Sequence, residues 1–422
     1  MGPVPNVLAV TAPPLVGELA IVLISAALIA YLCTRIKLVP IVGFILAGAM
    51  VGPNTGGLVN DVELVEQAAE IGVIFLLFGI GLELSVSELK RMGPLMLGGG
   101  ALQVVGTIGL VTAGCLAFGV DWRSAVFTGC LVSLSSTAIV LKLLSERGET
   151  NTKVGEVSVA FLIFQDLAVV IMVLLVPMLG ESGGGLGDLL GALLRSAVVI
   201  GFVVGATQWF VPRALDKVAD FSNDEVFLLS VAGFALVVAY VSSLLGLTDS
   251  LGAFIAGVVI SSSRHRERAI RYSTPFQMLF SAIFFVSIGM LLDIGFFLER
   301  WDLVLVLATG AVVVKVVTAS VAARVFRRSL PVAVSAAFLL AQIGEFSFVL
   351  ELAGRPEGLS PAGVGADGSQ AFIATAVVLL MLTPLLDQLG QRQGRRLGGT
   401  GRGDRGDEPA LATPEPEPEP DR

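Results

Sequence analysis

The sequence predicts an all-α polytopic membrane protein of about thirteen transmembrane helices, two of them interrupted near mid-span. Three observations lead there. Of the 422 residues, 55% are hydrophobic and only 15% charged, and the mean hydropathy is +0.86. A soluble domain carries about 25% charged residues, so this chain lacks the polar surface that a water-soluble fold needs. Apolar stretches recur from end to end with short connections, near the roughly 20 residues that cross a bilayer as a helix. They lack the alternation of barrel strands. Two of the stretches are broken by polar residues at matching places in two halves, the pattern of an inverted repeat with a site at the membrane midplane.

The same counts exclude other classes. Lys and Arg total 27 against 35 Asp and Glu, a net charge of −8 without a basic domain, which excludes a nucleic-acid partner. The three cysteines, Cys33, Cys115 and Cys130, lie in apolar runs without a Cys-x-x-Cys pair, and His265 is the single histidine. No zinc site or disulfide framework follows from that set. No phosphate-binding glycine loop, haem signature or flavin signature is present, so no cofactor, ATP-driven step or enzyme activity is expected. The first apolar run has no basic segment before it, so no cleaved signal peptide is expected.

Taken in order, the spans cover 15–33, 38–52, 68–85, 94–118, 124–144, 155–178, 188–211, 225–244, 249–262, 275–292, 303–324, 331–352 and 370–389. Basic residues mark every second connection. Arg35 and Lys37 follow the first span, Lys90 and Arg91 the third, Arg147 and Lys153 the fifth, and Arg213 and Lys217 the seventh. Arg264, Arg266, Arg268 and Arg271 follow the ninth, Arg324, Arg327 and Arg328 the eleventh, and Arg392, Arg395 and Arg396 the last. The opposite connections hold Arg123, Arg300 and Arg355, with Arg195 near a helix start. Basic loops stay in the cytoplasm, so the expected topology is N-terminus outside and C-terminus inside. Residues 1–390 form the expected membrane domain. Residues 391–422, rich in Gly, Arg and Asp and then in Pro-Glu repeats, read as a disordered cytoplasmic tail.

Charge inside a span costs about 2.5–3.5 kcal/mol on insertion scales, so each such residue is a functional candidate. Asp166 interrupts the apolar stretch 161–172 together with Gln165 and has no basic residue four positions away. A carboxylate held out of water can cancel its charge with a proton or with a dehydrated monovalent cation. Binding one or the other, but not both, is the minimum device for exchange. Gln165 cannot titrate, yet it can offer a carbonyl oxygen or an amide donor. Lys315 sits well inside the eleventh span. It reads either as a strut to Asp166 or Glu345, or as a competitor that releases a bound cation.

Ser133, Ser135, Ser136 and Thr137 cluster in the fifth span, and Gln342-Ile343-Gly344-Glu345 interrupts the twelfth. Hydroxyls bonding within one helix explain the first cluster in the plain way. Two broken helices lining a cavity explain both clusters together. Glu83 closes the third span near the cytoplasmic interface, where a structural role suffices, and Asp249 at the start of the ninth reads as a helix cap.

These residues form a recognisable set. The chain resembles the monovalent cation:proton antiporter-2 family, which includes the Kef-type potassium efflux systems. The resemblance is carried, in order along residues 38–352, by Gly43–Gly48 with Gly52-Pro53, Ala69–Leu84, Ser133–Leu144, Phe164–Val170, Leu251–Gly257, Phe284–Met290 and Ala341–Leu350. It implies a sodium/proton-antiporter-like fold with two broken, crossing helices. A six-helix core would carry the site and shift against a dimerisation domain within a homodimer in the bacterial inner membrane. The Gln165-Asp166 pair is similar to the Gln-Asp form of the family motif. It implies electroneutral exchange of one proton for one cation, K⁺ first and Na⁺ second, at Asp166 with Gln165, Ser135, Ser136 and Thr137. Lys315, Glu345 and Glu83 would tune or brace the site.

Two departures from the Kef pattern stand out. A short tail replaces the cytoplasmic nucleotide-binding domain, which leaves room for a separate regulatory subunit. The loop after the ninth span is strongly basic and suited to anionic lipid. The rival readings are a gated cation channel of the same fold, a Na⁺/H⁺ antiporter, and a membrane sensor that transports nothing.

Overall fold

A computed structural model describes residues 14–36, 38–53, 55–59, 62–83, 93–180, 201, 205, 223–244 and 249–398. The described chain is helical throughout. In order, the helices are α1 (Pro14–Arg35), α2 (Pro40–Val51), α3 (Val62–Glu83), α4 (Leu95–Ala117), α5 (Trp122–Ser133), α6 (Thr137–Glu146) and α7 (Lys153–Leu179). Then come α8 (Asp224–Leu244), α9 (Asp249–Ser261), α10 (Arg266–Met290), α11 (Ile294–Glu299), α12 (Trp301–Val325), α13 (Leu330–Leu339), α14 (Phe346–Gly354) and α15 (Ala366–Gly398).

Twelve of the thirteen expected crossings are represented among the described residues. The fifth is the broken pair α5–α6 and the twelfth the broken pair α13–α14. The expected seventh, 188–211, lies outside the described residues except for 201 and 205. Among the described residues, nine helical stretches are long and apolar enough to cross a membrane, and α2, α9 and α13 are shorter apolar helices. Short α11, between the tenth and eleventh crossings, has no counterpart in the sequence reading. Helix α15 continues past 390 to Gly398, and the segment 399–422 lies outside the described residues.

The helices pack as two groups. α1, α2, α3, α8, α9 and α10 form one, and α4–α7 with α12–α15 form the other. The first group is pressed together by glycines. A methyl group on Gly48 would lie 1.9 Å from the Val286 carbonyl, and one on Gly289 2.0 Å from the Ile45 carbonyl, so α2 and α10 meet backbone to backbone. Gly81 and Gly257 do the same for α3 and α9, at 2.3 Å from the Phe254 carbonyl and 2.2 Å from the Phe78 carbonyl. Small residues drive such approaches in lipid, where no hydrophobic gain separates helix from tail. Ile24, Leu229 and Val306 are at least two-thirds exposed on the outer surface, as lipid-facing side chains would be.

In the second group, Gly98-Gly99-Gly100 lets the π-helical start of α4 sit against its neighbours. A methyl group on Gly100 would fall 2.4 Å from the Phe164 side chain, and one on Gly98 2.3 Å from Phe326. That contact fixes α7, the helix carrying Asp166, against α4.

Candidate functional site

The two broken helices meet at their breaks. Helix α5 ends at Ser133 and α6 begins at Thr137. Helix α13 ends at Leu339 and α14 begins at Phe346. Each break frees backbone groups that need partners, and the two breaks satisfy one another. The Gly344 amide donates to the Leu134 carbonyl (3.1 Å). The Ser136 amide donates to Gln342 Oε1 (2.9 Å), and the Ser135 hydroxyl to the Leu340 carbonyl (2.8 Å). Gly344 is required here, because a Cβ would sit 2.4–2.6 Å from the backbone of Ser135 and Ser136.

The polarity of the half-helices sorts the charges. The carbonyl ends of α5 and α13 face Lys315, whose Nζ donates to the Leu134 and Gln342 carbonyls at 2.6 Å each. The ammonium thus sits where two helix dipoles are negative. These two bonds go to carbonyl oxygens at the breaks, and neither goes to Asp166 or Glu345, the partners the sequence offered. The amide end of α6 faces the carboxyls. Ser136 caps it through its own hydroxyl, which accepts from the Ile139 amide (3.3 Å). The Thr137 hydroxyl bonds both carboxylate oxygens of Asp166, at 3.1 and 3.0 Å. Glu345, at the start of α14, turns its carboxyl to the Ser136 hydroxyl and the Ala138 amide.

Gln165 and Asp166 are adjacent on α7, and the helix rotation of about 100° per residue sends them to different neighbours. Gln165 is buried, with both ends of its amide engaged. Oε1 accepts from the Ser135 amide (2.7 Å), and Nε2 donates to Gln103 Oε1 (2.7 Å). Gln103 in turn reaches Thr107 (3.2 Å) and the Ser133 carbonyl (3.3 Å), and Thr107 meets Thr318 at 2.8 Å. Gln103, Thr107 and Thr318 are site-supporting residues that the sequence reading did not name. Polar side chains four apart in the apolar span 101–117 were the available signal.

Asp166 is half-buried and lines a cavity of about 800 Å³ between the two helix groups. Thr137, Lys142 and Glu345 line it from the core side, and Phe44, Gly79, Gln277 and Ser281 from the other group. Of the residues singled out from the sequence, Asp166, Thr137 and Glu345 share this cavity. Ser135, Ser136, Gln165 and Lys315 stand behind it, holding the crossing. Helix α3 ends at Glu83, whose side chain lies outside the described residues. Asp249 is the exposed first residue of α9, in its first turn.

The arrangement is a carboxylate at a half-helix amide end, with a hydroxyl beside it, open to a largely apolar cavity whose other polar lining residues are Lys142, Gln277, Ser281 and Glu345. It can take a proton, or a small cation coordinated by oxygens.

Comparison with known proteins gives this geometry a family. The profile described as "Sodium/hydrogen exchanger, transmembrane" matches residues 22–388. K(+) efflux antiporter 5 of Arabidopsis thaliana is 34% identical over 380 residues, covering 89% of this chain and 66% of that protein. The glutathione-regulated potassium-efflux system protein KefC of Salmonella heidelberg is 36% identical over 377 residues, 85% of this chain and 59% of that protein. The chain therefore spans somewhat under two thirds of the length of these relatives. The sodium proton antiporter MjNhaP1 of Methanocaldococcus jannaschii has a similar fold, with a TM-score of 0.68 at 17% identity over 91% of this chain and 99% of that one.

Proposed function

The chain belongs to the sodium/hydrogen exchanger family, in its Kef-like monovalent cation:proton antiporter-2 branch, and from that premise we propose that it exchanges a monovalent cation for a proton across the bacterial inner membrane. The observation that carries the reading is Asp166 at the amide end of broken helix α6, bonded to Thr137 and facing the cavity. When Asp166 is protonated the cavity holds no cation. When it is ionised, its oxygens and the Thr137 hydroxyl supply ligands for a dehydrated one. One carboxylate alternating between two monocharged partners makes the exchange one for one and electroneutral. K⁺ is the first choice, on the names of the antiporter and efflux relatives, and Na⁺ the second.

Gln165 and Gln103 keep α7 in register with the α5–α6 break, so Asp166 faces the cavity and not the core. Alternating access follows from the two-group architecture. The core, with the site, shifts against the other group, which holds a second copy in a homodimer. A separate cytoplasmic subunit would supply regulation, and the basic segment 264–271 would rest on anionic lipid.

The cavity also bears on orientation. Lys142 near the end of α6, Pro40 at the start of α2, Val159 in the first third of α7 and Gln277 in the first half of α10 all line it. Each lies toward a basic connection of its helix, so by the positive-inside rule the cavity opens to the cytoplasm, with the C-terminus inside.

The test uses proteoliposomes with an internal pH dye, an imposed pH gradient, and K⁺, Na⁺ or choline outside. Cation-dependent collapse of the gradient that disappears in Asp166→Asn supports exchange at Asp166. Potential-driven cation flux that persists in Asp166→Asn, with the pH gradient left standing, would replace the exchanger by a channel.

A further inference from the structure

Asp387 is a buried carboxylate that the exchange scheme above does not use. It stands on α15 with its side chain 7% exposed, and it forms an ion pair with Arg147, whose side chain is 22% exposed. Gln391, one turn on, donates to the same oxygen, Asp387 Oδ2, through Nε2 (3.0 Å). Arg147 also holds Glu149, at 3.0 Å. Ion pairs on an open surface contribute little, but a desolvated pair that loses one partner leaves the other charge unanswered. This pair joins positions 240 residues apart, and one of its two elements is the half-helix that faces Asp166.

Arg147 is the C-terminal cap of α6, and Thr137 is the first residue of that helix. The cap is locked to the last turn. The Gly148 amide donates to the Ser145 carbonyl (3.0 Å) and the Glu149 amide to the Leu144 carbonyl (2.8 Å), with Gly148 at φ +66°. A pull on Arg147 is therefore a pull on all of α6. The helix has ten residues, so it is a rod of about 15 Å with the ion pair at one end and the Thr137 hydroxyl at the other.

Helix α5 does not steer this rod, because Leu134 and Ser136 between them are extended, at ψ 143° and 112°. The hydrogen bonds of the break hold Ser135 and Ser136 and make a hinge at the front of α6. Along its side, Val140 and Leu144 pack among Val157 and Phe161 of α7 and Ala336 of α13. Apolar contact of this kind is non-directional, whereas the ion pair is a fixed point at the rear. A functional site keeps its geometry only within about 10–20°. Over a rod of about 15 Å, that tilt moves the rear end by about 3–5 Å, a displacement the ion pair does not permit.

We propose that Arg147 and Asp387 are positioning residues for the exchange: their pair sets the direction of α6, and through it the aim of the Thr137 hydroxyl at Asp166. The inference rests on the exchanger reading. Thr137 bonds both Asp166 oxygens, at 3.1 and 3.0 Å, so a turn of the hydroxyl away from them removes an oxygen from the cation's set. Neither positioning residue lines the cavity or touches the cargo.

K⁺-dependent collapse of a pH gradient in proteoliposomes tests this with Arg147→Gln and Arg147→Lys, each made in the wild-type and in the Thr137→Val background. Arg147→Gln is expected to raise the K⁺ KM about fivefold or more, with the maximal rate per folded transporter within about threefold of wild type. Arg147→Lys keeps the charge and is expected to restore the KM to within about twofold. In the Thr137→Val background, Arg147→Gln is expected to change the KM by less than about twofold, because the hydroxyl it aims is gone.

A brace that merely supports the fold would lower the folded fraction and the maximal rate at unchanged KM, and that result overturns the proposal. So does an equal fold-change in KM in both backgrounds. Where Thr137→Val carries too little flux to read, the split between KM and maximal rate in Arg147→Gln and its rescue by lysine decide. Where Arg147→Gln yields no monodisperse protein, Asp387→Glu takes its place, since it keeps the pair but lengthens it by one methylene. An unchanged KM there overturns the proposal as well. A wild type without cation-dependent proton movement would instead overturn the exchanger reading, and the inference with it.

Discussion

Gln103 touches neither the cavity nor any charge, yet it holds the amide that aligns Asp166. Its Oε1 accepts from Gln165, and its Nε2 reaches Thr107 and the Ser133 carbonyl freed by the break. Gln103→Leu takes a partner from the Gln165 Nε2 and from the Ser133 carbonyl, while Thr107 keeps Thr318, at a cost of about 1–3 kcal/mol for each group left unsatisfied. A lowered thermal midpoint in detergent is expected, with weaker exchange in the protein that remains folded. Thr137 acts at the opposite end of the site. Thr137→Val removes the hydroxyl from both Asp166 oxygens and is expected to raise the cation KM, whereas Thr137→Ser keeps it, and flux titrations compare the two. Asp166 was legible in the sequence because an ionisable group in an apolar span has no inexpensive explanation. Gln103 was not, because a neutral amide in a helix costs little and its partner lies 62 positions away. Gln165 was legible as a polar residue, but its use was not, since a side chain's direction depends on what packs around the helix.

The broken helices show the same division at the scale of elements. Their interruption could be read from Ser135–Thr137 and from Gly344 beside Glu345, because polar groups and a glycine at mid-span are poor choices for a continuous helix. Their mutual hydrogen bonds could not be read, because each break is explained locally and the pairing is not. Gly344→Ala puts a methyl group 2.4 Å from the Ser135 carbonyl carbon, against backbone that cannot rotate away. The crossing must separate, and loss of monodisperse protein by size-exclusion chromatography is expected. Gly310, inside α12, has nothing within 4 Å of its missing Cβ. Gly310→Ala should be neutral, or stabilising by up to about 1 kcal/mol through helix propensity, so the pair separates a glycine that is needed from one that is not. The glycines of the family-like stretches gain a physical reason in the same way. Gly48, Gly81, Gly257 and Gly289 sit where two helix backbones meet, and sequence alone did not say which would face which.

Across the whole molecule, crossings and basic-loop alternation were legible because hydropathy and charge add along the chain, residue by residue. The division into two helix groups was not, since it depends on contacts between distant spans. In the proposed orientation, the cavity lies toward the cytoplasm and a second set of contacts between the groups lies toward the outside. Around the cavity, the lining residues lie toward the basic connections. At the opposite end, the Gln370 side chain of α15 donates to the Leu291 carbonyl (2.6 Å) and accepts from the Asp293 amide (2.9 Å). These bonds tie the core to the link between α10 and α11, where the other group ends. A core that shifts to expose its site outward has to break them. Ser281→Cys, placed in the cavity wall after Cys33, Cys115 and Cys130 are replaced, should react with a membrane-impermeant maleimide in inside-out vesicles and not in right-side-out cells. Adding Gln370→Ala weakens the outer seal, so the outward state gains population and the labelling rate from the cytoplasmic side should fall. Labelling of Ser281→Cys from the outside alone would reverse the orientation drawn from the charges. An unchanged rate in the Gln370 variant would mean that the outer seal lies elsewhere along the interface between the two groups.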